Sequence, residues 1–180
     1  MNISKRTQRL TKITLMTAFL IVASYVVIPV PFGVTGISLQ TLAVNLIALL
    51  LSPGEAAGAI FVYILMCAIG VPVGNAGQGG IHYLAGPTGG FFLGFLLATI
   101  LIAWGRGKEY SFRRYLFVTI GLGIPIIYVC AIGWMMIVTG MSLEAAFMTG
   151  CLPYLPMDVV KCVVAVGMSK PLKKGLRPIE

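Results

Sequence analysis

The sequence predicts an all-α integral membrane protein of six transmembrane helices with both termini in the cytoplasm, and three observations carry that prediction. Of the 180 residues, 58% are hydrophobic and only 10% are charged, with a mean hydropathy of +0.98. The apolar residues gather into runs of roughly 14 to 25, a series that a soluble core of this size does not need. Twelve of the 13 Lys and Arg residues fall into three groups, each beside an apolar run. An even number of spans puts all three groups on one side, which the positive-inside rule makes the cytoplasm.

The six predicted spans are Ile13 to Ile28, Ser38 to Leu51, Glu55 to Val71, Thr88 to Trp104, Tyr115 to Thr139, and Met157 to Lys170. Lys5, Arg6, Arg9 and Lys12 precede the first, in the manner of a signal peptide. Its apolar part is too long, however, and it ends in VIPVPF without a small-residue cleavage site, so it reads as a retained span. The second is short for an upright crossing of about 20 residues, which predicts a pocket above it. Glu55 follows Pro53 and Gly54, where a carboxylate stabilises a helix start. Gly86, Gly90 and Gly94 recur every four residues into the fourth span, a spacing that lets helices approach closely. Arg106, Lys108, Arg113 and Arg114 separate the fourth and fifth spans. The fifth contains Gly121, Gly123 and Pro125, and the proline permits a kink. After it, Ser142 can cap a short helix through Phe147 and Met148 that lies flat at the interface or serves as an ordinary connector. Lys170, Lys173, Lys174 and Arg177 follow the sixth span. No repeat, linker or soluble appendage is visible, and residues 1–180 read as one transmembrane domain.

Composition excludes several function classes. The net charge of +8 lies beside apolar spans, where anionic lipid and topology account for it and nucleic acid does not. Cys67, Cys130, Cys151 and Cys162 share no CxxC spacing, and His82 is the single histidine, so no metal site is expected. There is no GxSxG or paired-carboxylate signature and no Walker A sequence. The chain is therefore not read as an enzyme, and it needs no cofactor of its own.

Two features can carry binding chemistry. Gly70 to Gly90, GVPVGNAGQGGIHYLAGPTGG, is polar and glycine-rich between two apolar runs, which predicts a shaped loop on the outer face and not a helix or strand. Asn75 and Gln78 supply amides, while Gly74, Gly77, Gly79 and Gly80 bare backbone groups, a set suited to a neutral polar heterocycle. Tyr83 is the aromatic placed to stack on it. The second feature is Asp158 with Lys161 inside the sixth span. Spacing of three places both on one helix face, where they pair with each other as a structural ion bridge or converge on a ligand.

The segments IPVPF (Ile28 to Phe32), SLQTLAV (Ser38 to Val44), IGVPVGNAGQGG (Ile69 to Gly80), AGPTGGFFLGF (Ala85 to Phe95) and LPMDVVK (Leu155 to Lys161) together resemble the BioY family, biotin-binding S components of energy-coupling factor (ECF) transporters. The resemblance runs through nearly the whole chain. It implies high-affinity capture of biotin from outside a bacterial-type plasma membrane by a multi-pass chain. Delivery then requires a membrane T component and two cytoplasmic ATPase subunits that use ATP. By match to the family's motifs it also implies a ligand set of Asn75, Gln78, Tyr83, Asp158 and Lys161, with Gln40 and Thr41 of the LQT motif as weaker candidates; Gly77 and Gly79 join the set through their bared backbone groups, and Thr88 is a further weaker candidate. Thr14, Ala18 and Val22 stand where the family carries an Ala-x-x-x-Ala docking face. On this reading Lys161 neutralises the biotin carboxylate or a polar oxygen, Asp158 accepts a ureido N–H or orients Lys161, and Asn75 completes the ureido contacts. A stand-alone facilitator or secondary carrier for biotin or another small acid is the alternative.

Overall fold

Helix α1 runs Ile3–Tyr25, beginning well before the apolar run because Lys, Arg, Gln and Leu all propagate a helix, and stopping ahead of the β-branched Val26, Val27 and Ile28. In this computed structural model, which describes residues 3–29 and 36–175, the chain then turns extended. Strand β1 (Val27–Ile28) pairs antiparallel with β2 (Ile37–Ser38), Val27 opposite Ser38 and Ile28 opposite Ile37. The expected first span thus loses its last residues to a two-stranded ribbon, a small departure from a purely helical chain. Most of the expected Pro29 to Ile37 outer loop, together with Phe32 and Arg177, lies outside the described residues.

Helix α2 (Gln40–Leu50) has only 11 residues. At 1.5 Å per residue it spans about 16 Å, half a bilayer core. Helix α3 (Pro53–Ala68) starts on a capping box, in which Glu55 Oε2 accepts from the Ser52 N–H at 3.1 Å and from its hydroxyl at 2.7 Å. The glycine-rich segment is less irregular than its composition implies. A short 3-10 turn (Asn75–Gly77) and helix α4 (Ile81–Ala85) interrupt it, the latter because five residues free of Gly and Pro sit between Gly80 and Gly86.

Helix α5 (Gly89–Gly105) leads to α6 (Phe112–Leu116), a π-helical segment (Phe117–Gly123) and α7 (Ile124–Thr139), which form one continuous helix of 28 residues. The π segment ends just before Pro125, so the missing proline N–H is accommodated by widening the turn. Ser142 caps α8 (Leu143–Gly150), its Oγ accepting from Ala145 N–H at 3.3 Å. This helix meets α9 (Leu155–Gly175) at 51° and packs against α7, where Gly150 abuts the Met135 side chain.

Helix α5 is central, packing on α7 most extensively and also on α3 and α2, while α2 packs on α9. The glycine row explains the closeness. A Cβ on Gly90 would run into the Cys130 carbonyl and Trp134, and one on Gly94 would lie 2.8 Å from Ile127 Cα, so only hydrogen fits between α5 and α7. The outer surface is apolar: Val129 is 71% and Ile137 80% exposed, as lipid contact requires and water does not favour.

The two ends of the bundle differ. At one, Lys173 Nζ donates to the Lys108 carbonyl at 3.1 Å, Lys170 lies over the Tyr110 ring, and Arg106 Nη2 donates to the Leu51 carbonyl at 2.8 Å. The other end holds the β-ribbon, Asn75 and Asp158. Asp158 and Lys173 are fifteen residues apart on α9, about 22 Å along its axis. Among the described residues, one helix (Phe112–Thr139) is by itself long and apolar enough to cross a membrane, and the bent pair of α8 and α9 makes a second when taken as one span. The remaining apolar helices, α2, α3 and α5, are shorter than such a crossing.

Candidate functional site

At the end opposite the basic cluster lies a partly open cavity that combines aromatic walls with a few convergent polar groups, the make-up of a small-molecule site. Segments far apart in sequence line it. Gly36 to Ser38 come from β2 and the residue before it, Gln40 and Thr41 from the first turn of α2, Asn75, Tyr83 and Thr88 from the segment between α3 and α5, Tyr154 from the turn that precedes α9, and Asp158 and Lys161 from the start of that helix. The first turn of the short helix α2 thus forms part of the cavity wall.

Asp158 sits in the first turn of α9, where the helix dipole favours a carboxylate. Lys161 Nζ pairs with its Oδ1 at 2.8 Å, and the Tyr128 hydroxyl donates to Oδ2 at 2.6 Å. Both charged residues are only 4% exposed. A buried pair survives desolvation when further hydrogen bonds hold its atoms, and Tyr128 supplies one. Asp158 takes one of the three N–H donors of Lys161, and the ammonium borders the cavity.

Across from the pair, Asn75 is fixed by its Nδ2, which donates to the Gly36 carbonyl at 3.1 Å. Its Oδ1 is buried and has no hydrogen-bond partner. A buried acceptor left open costs about 1–3 kcal/mol, so this atom stands ready for a donor from a ligand. Ala76, next in sequence, has a φ of 55°, the one non-glycine left-handed residue among those described, and it turns the chain so that Asn75 faces inward. Tyr83 contacts both Thr88 and the Asn75 backbone and meets the Phe92 ring edge-on at 5.6 Å. Burial pushes its phenol above the ordinary range. Gln40 Oε1 accepts from Ser38 Oγ at 2.8 Å, and its Nε2 donates to the Tyr63 hydroxyl at 2.6 Å.

The structure therefore brings together Asn75, Tyr83, Asp158 and Lys161, with Gln40, Thr41 and Thr88 beside them. Gly77, Gln78 and Gly79 do not line the cavity. Gln78 is exposed, and its carbonyl accepts from Gly74 N–H at 2.7 Å. Gly77, with a φ of 77°, lies against the Tyr25 ring, and Gly79 lies against the Val71 carbonyl. These three shape the turn that presents Asn75. Thr14, Ala18 and Val22 are exposed along one outer face of α1, away from the cavity. Sequence reasoning passed over Ser38, Phe91, Phe92 and Phe95 as lining residues, and Tyr128 as the partner of Asp158; Tyr154 lines the cavity as well. A signal for the phenylalanines was available in GGFFLGF, where positions 91, 92 and 95 share the face that carries Thr88.

A model of the BioY family matches residues 1–178. The chain is 36% identical over 146 residues to the probable biotin transporter BioY of Pyrococcus horikoshii, covering 81% of this chain and 85% of that one. It is 35% identical over 155 residues to biotin transporter BioY2 of Lactococcus lactis, covering 86% and 84%, and 32% identical over 167 residues to biotin transporter BioY of Thermotoga maritima, covering 93% and 96%. In fold it is similar to the crystal structure of the S-component for biotin from an ECF-type ABC transporter, with a TM-score of 0.85 at 24% identity over 97% of this chain and 95% of that one.

Proposed function

The chain belongs to the BioY family, a family of transporters and not of enzymes, and on that premise we propose that it captures biotin from outside the cell and delivers it as the S component of an ECF-type transporter. The observation that carries the reading is the cavity itself, an open buried acceptor on Asn75 facing a buried Asp158–Lys161 pair over an aromatic wall. Biotin offers a ureido ring with two N–H donors and a carbonyl, an apolar thioether ring, and a carboxylate ionised at pH 7. Asn75 Oδ1 accepts a ureido N–H, the Phe91, Phe92 and Tyr83 rings cover the bicycle, and Lys161 takes the carboxylate or the ring carbonyl. Asp158, held from both sides, orients Lys161. Gly77, Gln78 and Gly79 shape the loop that presents Asn75.

In this reading the described chain is one transmembrane domain that crosses the plasma membrane six times, through α1, α2, α3, α5, the Phe112–Thr139 helix and α9. The Lys108, Arg106 and Lys173 end is cytoplasmic, with both termini on that side, and the cavity faces out. Lacking a nucleotide-binding sequence, the chain relies on a membrane T component and two ATPase subunits for energy, and the exposed Thr14–Ala18–Val22 face of α1 is the surface offered to the T component. Uptake of labelled biotin by cells tests the arrangement. Accumulation that requires the T and ATPase subunits supports it, and accumulation against a gradient without them overturns it in favour of a stand-alone carrier.

A further inference from the structure

We infer that Tyr63, which does not line the cavity, is a positioning residue that fixes Gln40 as a hydrogen-bond donor to the ligand's ring carbonyl, and so sets selectivity for a urea; the inference rests on the biotin reading. Tyr63 is fully buried on α3, its ring stacked on Phe92 at a centroid distance of 5.8 Å. Its hydroxyl lies 2.6 Å from Gln40 Nε2, and Ser38 Oγ lies 2.8 Å from Gln40 Oε1. An amide between two hydroxyls can point either way, because each hydroxyl can donate or accept. The direction is decided beyond Tyr63. Ser24 on α1 lies within hydrogen-bonding reach of that hydroxyl, and the Ser24 hydrogen is engaged by the carbonyls of Val73 at 2.7 Å and Ile21 at 2.6 Å. Ser24 therefore presents a lone pair, the Tyr63 hydrogen turns toward it, and Tyr63 presents its own lone pair to Gln40. That forces nitrogen toward Tyr63. With one N–H bound to Tyr63, Gln40 keeps a second for a ligand in the cavity that this residue lines.

With Asn75 Oδ1 as acceptor, the cavity then offers a donor and an acceptor, the complement of a C=O flanked by N–H. A guanidine ring, which puts a donor where the urea has oxygen, meets N–H against N–H.

The experiment measures binding of biotin and of its guanidine analogue 2-iminobiotin to the purified full chain in detergent. It compares the unmutated protein, Tyr63→Phe, Ser24→Ala and Thr17→Val. Tyr63→Phe keeps the stacked ring and frees Gln40 to rotate. Biotin affinity is expected to fall about tenfold, one net hydrogen bond's worth, and the preference for biotin over 2-iminobiotin to narrow by a similar factor. Ser24→Ala, which lets the Tyr63 hydroxyl reverse, narrows the preference in the same direction and carries the test should Tyr63→Phe not fold. Thr17→Val removes a comparable buried α1–α3 bond, to the Ala59 carbonyl at 3.1 Å, and leaves the preference unchanged. An unaltered preference in Tyr63→Phe and Ser24→Ala, or an equal narrowing in Thr17→Val, overturns the inference alone. Failure of the unmutated chain to bind biotin overturns the functional reading and the inference with it.

Discussion

Lys161→Ala, Asp158→Asn and the two combined separate a structural ion bridge from a ligand-binding pair. Each charge is only 4% exposed, and the separation is 2.8 Å, so neither single variant can leave the remaining charge to water. Removing one partner of a buried pair costs about 3–5 kcal/mol of stability. In Lys161→Ala the Tyr128 hydroxyl at 2.6 Å still supports the carboxylate, and a hydrogen bond to a charged group offsets about 1.5–3 kcal/mol of that loss. Asp158→Asn keeps a Tyr128 contact but leaves an ammonium without its counter-ion, so it is the more damaging of the two singles. The double variant buries no charge, and its stability recovers by about 2–3 kcal/mol relative to the sum of the singles. Thermal unfolding in detergent without ligand reads this coupling, and biotin titration reads the function. Truncating a charge that meets a ligand costs about 2–5 kcal/mol of binding, or roughly 30-fold to several thousand-fold in affinity. The expected result is a double variant that regains stability and does not regain affinity. A double variant that binds biotin as tightly as the unmutated chain refutes the ligand-binding role and leaves the pair as a structural bridge.

Three further outcomes follow from the same geometry. Asn75→Leu removes the open acceptor and is expected to weaken biotin binding by about 10-fold to 100-fold in titration. Gly90→Ala drives a methyl into the Cys130 carbonyl and lies 2.9 Å from Ala131 Cα, costing about 1–3 kcal/mol in thermal unfolding, whereas Gly70→Ala, with open space but a φ of 94°, costs about 1 kcal/mol of backbone strain alone. Val22→Trp on the outer face of α1 is expected to leave biotin binding by the isolated chain unchanged and to reduce biotin uptake in cells that carry the T and ATPase subunits.

The fold was legible where a single principle governs a segment. Apolar runs located the helices, most of them within a few residues, although α1 begins ten residues before its apolar run; the glycine row anticipated a close helix contact, and Glu55 marked a helix start. The ribbon was missed because Val27 and Ile28 are equally at home at the end of an apolar helix, and only pairing with Ile37 and Ser38 decides. Of the site, Asp158 and Lys161 announce themselves by being ionisable in an apolar span. Asn75 announces itself as an amide in a glycine-rich loop. Gln78 has the same chemistry and faces solvent, because backbone dihedrals at Ala76 and Gly77 choose between the two amides and composition does not. Tyr128 and Tyr63 were hidden for another reason: each acts through a partner on a different helix, 30 and 23 residues away. No local pattern records such a pairing.

The central claim is that this cavity holds biotin, and mass spectrometry of the small molecule released from the purified chain tests it most directly. Protein prepared from cells grown with biotin is expected to release biotin at close to one equivalent, and Lys161→Ala/Asp158→Asn protein prepared alongside is expected to release almost none. Release of a different molecule at stoichiometric yield, or no biotin from the folded unmutated chain even after incubation with excess vitamin, contradicts the account.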